Sequence, residues 1–113
     1  MKIVQQRLSL QELSQMARAT FGDLVKAVVD VEREIIAVDA ELHSDLEALL
    51  LENGSKQRNL WGINFYPGGK EDAFIEFDSI INVRPSQGNR SRNVEDKAVR
   101  EKIIEIVAKR VER

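Results

Sequence analysis

The stretch RPSQGNRSR (residues 84–92) contains three arginines and no carboxylate, and it directly precedes the last predicted helix. Guanidinium groups are planar forks that bind phosphate or carboxylate through paired hydrogen bonds. Gly88 lets a ligand approach the backbone closely, and the neutral polar side chains add further hydrogen-bonding groups. The candidate ligand-binding residues are Arg84, Ser86, Gln87, Asn89, Arg90 and Arg92. This arginine loop therefore predicts a site for an anion.

The place of the arginine loop in the chain supports the same interpretation. Free amide groups and the helix dipole favour an anion at a helix N-terminus. The alternative is a solvated loop whose arginines pair with Glu95, Asp96 or the acidic first half of the chain. The loop also lacks the Gly-Lys-Ser/Thr ending of a standard phosphate-binding loop.

A second candidate is the segment ELHSD (residues 41–45). On an extended backbone Glu41, His43 and Asp45 point the same way, so they would be metal ligands, or His43 would act as a catalytic acid or base. The alternative is a helix-capping segment, which explains Ser44 and Asp45 without any chemistry. No second histidine is present, and no cofactor is predicted.

The third candidate is the polar face of the predicted sheet. If the strands alternate as their sequences indicate, this face carries Asn64, Tyr66, Glu76, Asp78, Asn82 and Arg84. An antiparallel sheet often leaves one face solvated, which is the alternative to a ligand cleft or a self-association surface.

Hydrophobic periodicity predicts the secondary-structure elements that hold these groups. Strands are predicted at residues 2–5, 24–31, 35–40, 60–66 and 74–84, and helices from residue 9 to Gly22, from Ser44 to residue 54 and over residues 94–111. Ser9 and Glu12 form a predicted capping box, and Ser44 with Glu47 a second one. The strands at 24–31 and 35–40 read as a hairpin, and one continuous helix over residues 25–42 is the competing interpretation.

In the last strand, alternation puts Ile75, Phe77, Ser79, Ile81 and Val83 on the core face. The resulting order β-α-β-β-α-β-β-α predicts an α+β fold in a single domain over residues 1–113. A mostly antiparallel sheet of four or five strands would carry about three helices on one face.

Composition narrows the class of protein. Apolar residues make up 42% and charged residues 32%, as in a soluble globular protein. The absence of cysteine and of an N-terminal secretion signal predicts a cytoplasmic location, with no membrane association. The net charge of −2 divides into −5 up to Asn53 and +3 after it, which indicates a bipolar surface but not a dedicated nucleic-acid-binding protein.

Several segments carry a family resemblance: GDLVKAVVDVEREIIAV, ELHSDLEALLLENGSKQ, LWGINFYP, FIEFDSIINVRPSQGNRSR and VEDKAVREKI. Together they resemble a small prokaryotic family of uncharacterised proteins, domain of unknown function 5674. The resemblance implies a stand-alone intracellular protein of bacteria or archaea and supplies no activity. The family pattern has a glycine pair before the Glu-Leu-His segment, whereas this chain has Asp39-Ala40, which argues against a special backbone turn there.

Three functions from different classes follow from these observations. The first is a non-enzymatic binding module that holds a phosphate-bearing ligand, RNA or an acidic protein surface with the arginine loop. The second is a small enzyme in which His43 and the loop share a cleft. The third is a structural or regulatory homo-oligomer in which the sheet face or the acidic half of one copy meets the basic half of another.

Overall fold

The computed structural model describes residues 1–113, with a five-stranded sheet as its centre. The strands are β1 (Lys2–Val4), β2 (Leu8–Ser9), β3 (Val25–Asp30), β4 (Ile35–Val38), β5 (Leu60–Phe65), β6 (Ile75–Glu76) and β7 (Val111–Glu112). The helices are α1 (Leu10–Ala19), α2 (His43–Glu52) and α3 (Lys97–Arg110). The sheet order is β1-β4-β3-β5-β6, with every pair antiparallel, and β2 pairs with β7 in a separate parallel ribbon. The predicted α+β class is confirmed.

The start of α1 follows from its first residues. The Ser9 hydroxyl accepts a hydrogen bond from the Glu12 amide at 3.1 Å, and the Glu12 carboxylate accepts one from the Ser9 amide at 3.4 Å. These two bonds satisfy amide groups that the first helical turn would otherwise leave free. The predicted capping box is therefore confirmed.

The hairpin between β3 and β4 is also confirmed, against the continuous helix. Its turn has no glycine, and the side chain of Asp30 organises the turn instead. The Asp30 carboxylate accepts hydrogen bonds from the amides of Glu32 and Arg33, each at 2.9 Å, and Glu34 adopts a positive φ of 57°. Aspartate can organise a turn in this way because its short side chain reaches the backbone two and three residues further on.

The helices lie on both faces of the sheet, which corrects the prediction that they share one. α1 and α3 contribute to a large core with one face of β3 and β5, whereas Leu46 and Leu50 of α2 pack with Val28, Ala37 and Leu60 on the other face. The central strands are consequently buried on both sides, so strict alternation of apolar and polar residues is lost. None of the helices combines the length and apolar character needed to cross a membrane.

The second predicted capping box is wrong. α2 begins at His43, and its N-cap residue Leu42 offers no side-chain hydrogen bond, so Ser44 lies inside the helix. A tertiary contact decides this start, because the His43 ring is buried and bonds the carbonyl oxygen of Ile63 at 2.9 Å. A side-chain cap contributes about 1 kcal/mol to helix stability, so a buried tertiary contact can shift the start of the helix.

The strand predicted over residues 74–84 is mostly wrong as well. Only Ile75 and Glu76 pair with β5, and the chain then forms a 3-10 turn at Ile80–Asn82. Within that turn the burial is the reverse of the hydrophobic pattern, because Ile80 is 64% exposed and Asn82 is fully buried. Hydrogen bonding of Asn82, described below, is the physical reason.

Charge contacts join the two halves of the chain. The Glu34 carboxylate binds the ammonium groups of Lys102 and Lys109 of α3, each at 2.7 Å, and the Glu34 carbonyl accepts a bond from Arg110. The hydrogen bonds from Lys102 and Lys109 lower the pKa of Glu34 to about 2. Some of the acidic and basic residues of the two halves therefore pair with each other within one molecule.

A special backbone turn does precede α2, contrary to the expectation from Asp39-Ala40. Asp39 has a positive φ of 74°, which is the conformation that a glycine adopts without strain. Aspartate is one of the few other residues that tolerate it.

We expect Asp39→Gly to be at least as stable as the natural protein, because it removes the left-handed strain. Asp39→Ala should be less stable than Asp39→Gly by about 1 kcal/mol, because alanine has a Cβ and no local hydrogen bond to compensate. Urea unfolding of the two variants measures the difference. Equal stability would show that this turn imposes no conformational requirement.

Candidate functional site

The outer edge of β5 is completed by a side chain rather than by a strand. β6 covers β5 only at Asn64 and Phe65, which leaves the peptide groups of Gly62 without a strand partner. The side-chain amide of Asn82 takes that place. Its Oδ1 accepts a hydrogen bond from the Gly62 amide at 2.8 Å, and its Nδ2 donates to the Gly62 carbonyl at 2.9 Å. An asparagine amide can do this because it has the donor and acceptor of a peptide group.

The close approach at this point requires glycine. A Cβ on residue 62 would lie 2.5 Å from the Cβ of Ser79, which is itself fully buried. Ser79 starts the 3-10 turn that carries Asn82, and its amide donates to the carbonyl of Arg92 at 3.1 Å. Gly62, Ser79 and Asn82 therefore bring the arginine loop against β5.

Asn89 closes the arginine loop from within. Its side chain is 3% exposed, and its Nδ2 contacts the carbonyl oxygens of Asn82 and Asn93, each at 2.7 Å. Its Oδ1 accepts a hydrogen bond from the Glu95 amide at 2.9 Å, which ties the loop to the start of α3. Asn89 was predicted to bind a ligand, but every polar atom of its side chain is engaged by the protein itself.

Arg84 is likewise part of the fold. Its guanidinium donates to the carbonyl oxygens of Gln57 and Leu60 and lies 4.2 Å from the centre of the Trp61 ring. Burial lowers the pKa of Arg84, against an opposing effect of the Glu47 carboxylate. The stacked and hydrogen-bonded guanidinium is not free to bind an external anion.

The amide groups expected to attract an anion are occupied by carboxylates of the chain. One oxygen of Glu95 accepts hydrogen bonds from the amides of Arg90 and Ser91 at 2.7 and 2.8 Å. A hydrogen bond from the Ser91 side chain, followed by the bond from the Arg90 amide, lowers the pKa of Glu95. Asp96 caps α3 by accepting a bond from the Ala98 amide at 2.8 Å. Glu95 and Asp96 thus bind backbone amides, not the arginine side chains with which the sequence allowed them to pair.

The remaining loop residues differ in how many contacts their side chains make with the rest of the protein. Arg92 forms an ion pair with Asp78 at 2.6 Å, in which the two side chains are 56% and 44% exposed, and Asp78 raises the pKa of Arg92. Gln87 donates to the carbonyl of Arg58 at 3.1 Å. Ser86 is exposed, and the Arg90 guanidinium is exposed without a hydrogen bond or ion pair. Of the three arginines, only Arg90 is unpaired.

A depression of about 560 Å³ lies beside the arginine loop. The apolar part of its wall comes from Val31, Trp61 and Val99. Its polar lining comprises Arg58, Asn59, Gln87, Gly88, Asn89, Glu95 and Asp96. Arg58 was not singled out in the sequence, and no local signal marks it, because it joins the loop only through the contact of Gln87 with its carbonyl.

Glu41, His43 and Asp45 are not brought together. Glu41 and Asp45 are exposed, whereas His43 is buried against β5, because the helix that starts at His43 turns successive side chains in different directions. No group of three potential metal ligands exists in the structure. Burial lowers the pKa of His43, so its ring is neutral near pH 7 and its Nε2 donates to Ile63.

The polar face of the sheet is present in part. The Asn64 amide donates to the Glu76 carboxylate at 2.8 Å, and the Tyr66 hydroxyl donates to the same oxygen at 3.1 Å. His43 lies beside Asn64 and interacts with the charge of Asp78, which in turn binds Arg92. No hydrogen bond joins His43 to the arginine loop, and none of the four cavities is lined by His43.

These contacts define a small α+β protein with an internally braced arginine loop. The chain matches the family described as "Protein of unknown function (DUF5674)" over residues 2–110, and it belongs to that family. The resemblance seen in the sequence is thereby confirmed. No curated protein and no solved structure matches the chain.

Replacing Asn82 by alanine should be strongly destabilising. Asn82→Ala leaves the buried amide and carbonyl of Gly62 unpaired, and each such group costs about 1–3 kcal/mol, so a loss of about 3 kcal/mol or more is expected. Urea unfolding measures it, with Ser86→Ala in the same loop as a control that should change little. A loss below about 1 kcal/mol for Asn82→Ala would contradict the role given to the amide.

Neutral His43 predicts a pH dependence of stability. Its pKa lies below the ordinary value of 6.5, so the folded state binds fewer protons than the unfolded state in this range. The stabilisation is complete above pH 6.5 and is lost as the pH falls, by at most about 1.4 kcal/mol per pH unit. The free energy of unfolding of His43→Gln, measured from about pH 7.5 to about pH 5, should depend less on pH. Parallel curves for the two proteins would remove His43 as the cause.

Proposed function

We propose that the protein is a non-enzymatic binding module for a phosphate-bearing ligand. Arg58 and Arg90, helped by Arg92, hold the ligand at the edge of the depression beside the arginine loop. The observation that carries the proposal is the lack of any hydrogen bond or ion pair on the guanidinium groups of Arg58 and Arg90. Arg58 lines the depression, and Arg90 directly follows the lining residue Asn89 in the chain. Unpaired guanidinium groups at a depression of this size suit a small anionic ligand.

The support around these groups is rigid. The side chains of Asn82, Asn89 and Glu95 bond backbone groups of the loop, at Arg92, Ser91 and Arg90 respectively, so its conformation is set without a ligand. A binding surface that is already ordered loses less conformational entropy on binding. The internal contacts that exclude Arg84 and Asn89 as ligand groups therefore favour binding by their neighbours.

Arg92 is available at small cost. Its ion pair with Asp78 joins two side chains that are about half exposed, and solvent screening makes such exposed pairs weak. A phosphate can replace Asp78 as the partner of Arg92 with little loss of stability. Glu95 and Asp96 also line the depression and would repel an anion, so we place the anion next to Arg58 and away from these carboxylates.

A small ligand fits these observations better than the macromolecular partners. Trp61 is only 6% exposed where it lines the depression, and Arg84 already stacks on its ring, so it offers too little surface for stacking a base. The net charge of the chain is also −2. The contacts do not favour assembly of acidic and basic halves, since Glu34 already binds Lys102 and Lys109. RNA, acidic proteins and self-association are outcomes of the test.

The test is a titration of the full chain with pyrophosphate and with adenosine monophosphate, followed by amide chemical shifts in NMR. We expect shifts in residues 56–59 and 84–96, and an affinity that falls as salt is raised. Arg58→Gln combined with Arg90→Gln should weaken binding by roughly tenfold or more, because two charge-assisted contacts are lost. The melting temperature without ligand should stay nearly the same, since both side chains are unpaired.

Arg18→Gln is the matched control, because Arg18 is also exposed and unpaired but lies away from the loop. It should bind both probes as the natural protein does. Equal weakening by the control would indicate a general charge effect. Binding of an RNA oligonucleotide but of neither small probe, or self-association that follows salt in light scattering, would replace the proposal by one of its alternatives.

A further inference from the structure

A second depression, of about 530 Å³, lies between the end of α1 and the turn at residues 66–69. Its volume is within the range of small-molecule sites. Small residues make up much of the lining: Ser14, Ala17, Gly22, Gly68, Gly69 and Ala73. Tyr66 and Pro67 add a ring and an apolar surface. The side chains thus leave an open, largely apolar space between helix and turn.

Two charged residues of opposite sign line this depression without pairing. Arg18 and Asp23 are both exposed, and neither makes an ion pair or a side-chain hydrogen bond. Other exposed opposite charges in the molecule do pair, as Lys2 does with Glu12 at 3.2 Å. A guanidinium binds a carboxylate, and a carboxylate binds an ammonium group, so the two residues together suit a ligand that carries both charges.

The turn opposite α1 has a defined conformation. The Gly69 amide donates to the carbonyl of Tyr66 at 2.8 Å, and the Tyr66 amide donates to the carbonyl of Phe74 at 2.8 Å. A Cβ on residue 69 would collide with the carbonyl of Ala73, so glycine is required for the turn to close. The Tyr66 hydroxyl is held by Glu76 at 3.1 Å, which orients the ring. The depression is therefore formed in advance of any ligand.

We propose that this depression binds a small zwitterion, an amino acid with an apolar side chain. Arg18 holds the ligand carboxylate, Asp23 holds its ammonium group, and the side chain lies against Ala17, Tyr66 and Pro67. A phosphate ester does not fit as well, because a single arginine beside an aspartate gives no excess of positive charge. The site is separate from the arginine loop, so either proposal stands without the other.

The test uses leucine and two analogues, each lacking one charge, in NMR titrations of the full chain. Leucine should shift the amides of residues 14–23 and 66–73. Leucinamide, which lacks the carboxylate, and 4-methylpentanoate, which lacks the ammonium group, should each bind at least roughly tenfold more weakly.

The variants assign the two charges. Arg18→Gln should weaken leucine and leave leucinamide unchanged, whereas Asp23→Asn should weaken leucine and leave 4-methylpentanoate unchanged. Arg58→Gln, at the other depression, is the control and should bind leucine normally. The proposal is overturned if no apolar amino acid binds more tightly than roughly 1 mM, or if both analogues bind as well as leucine. Shifts confined to other parts of the chain would overturn it too.

Discussion

The hydrogen bonding of the Asn82 side chain with Gly62 is the interaction on which the architecture around the arginine loop depends. β5 would otherwise expose a buried amide and carbonyl where β6 ends, and unpaired buried peptide groups are costly. One asparagine amide closes that edge and lets the chain leave the sheet. The loop can then turn back towards α3 instead of continuing as a strand, and Asn89 and Glu95 fix the path that it takes.

Two arginines of this loop, Arg84 and Arg90, differ in their contacts within the same arrangement. Arg84 reaches carbonyl oxygens at the start of β5 and stacks on Trp61, so its removal would expose unpaired carbonyls and the ring. Arg90 has its backbone amide bound by Glu95 and its guanidinium free. Residue type alone cannot separate these cases, because both side chains have the same chemistry. The carbonyl groups that Arg84 binds lie at least 24 residues away in the chain, so only the folded structure reveals its role.

Sequence patterns predicted the elements that depend on local chemistry. The capping box of α1, the β3–β4 hairpin and β5 follow from residues that contact their near neighbours or alternate in the strand period. The failures involve partners distant in sequence. Asn82, which alternation placed on the polar face, is buried because backbone groups of β5 and the loop satisfy its side chain, and hydrophobicity does not encode this. α2 starts at His43 because of Ile63, and it covers a sheet face that the pattern marked as polar.

β5 also determines how the two depressions relate. One depression includes Asn59 and Trp61 near the start of β5, and the other includes Tyr66 just after its end. β5 has six residues, so the two regions are about 20 Å apart. β3 pairs with β5 along its length, and β6 and Asn82 hold its other edge. A displacement of β5 along its own axis would break several buried hydrogen bonds at once. A ligand at one end of β5 therefore cannot easily alter the structure at the other end. We therefore expect no coupling between the two proposed sites.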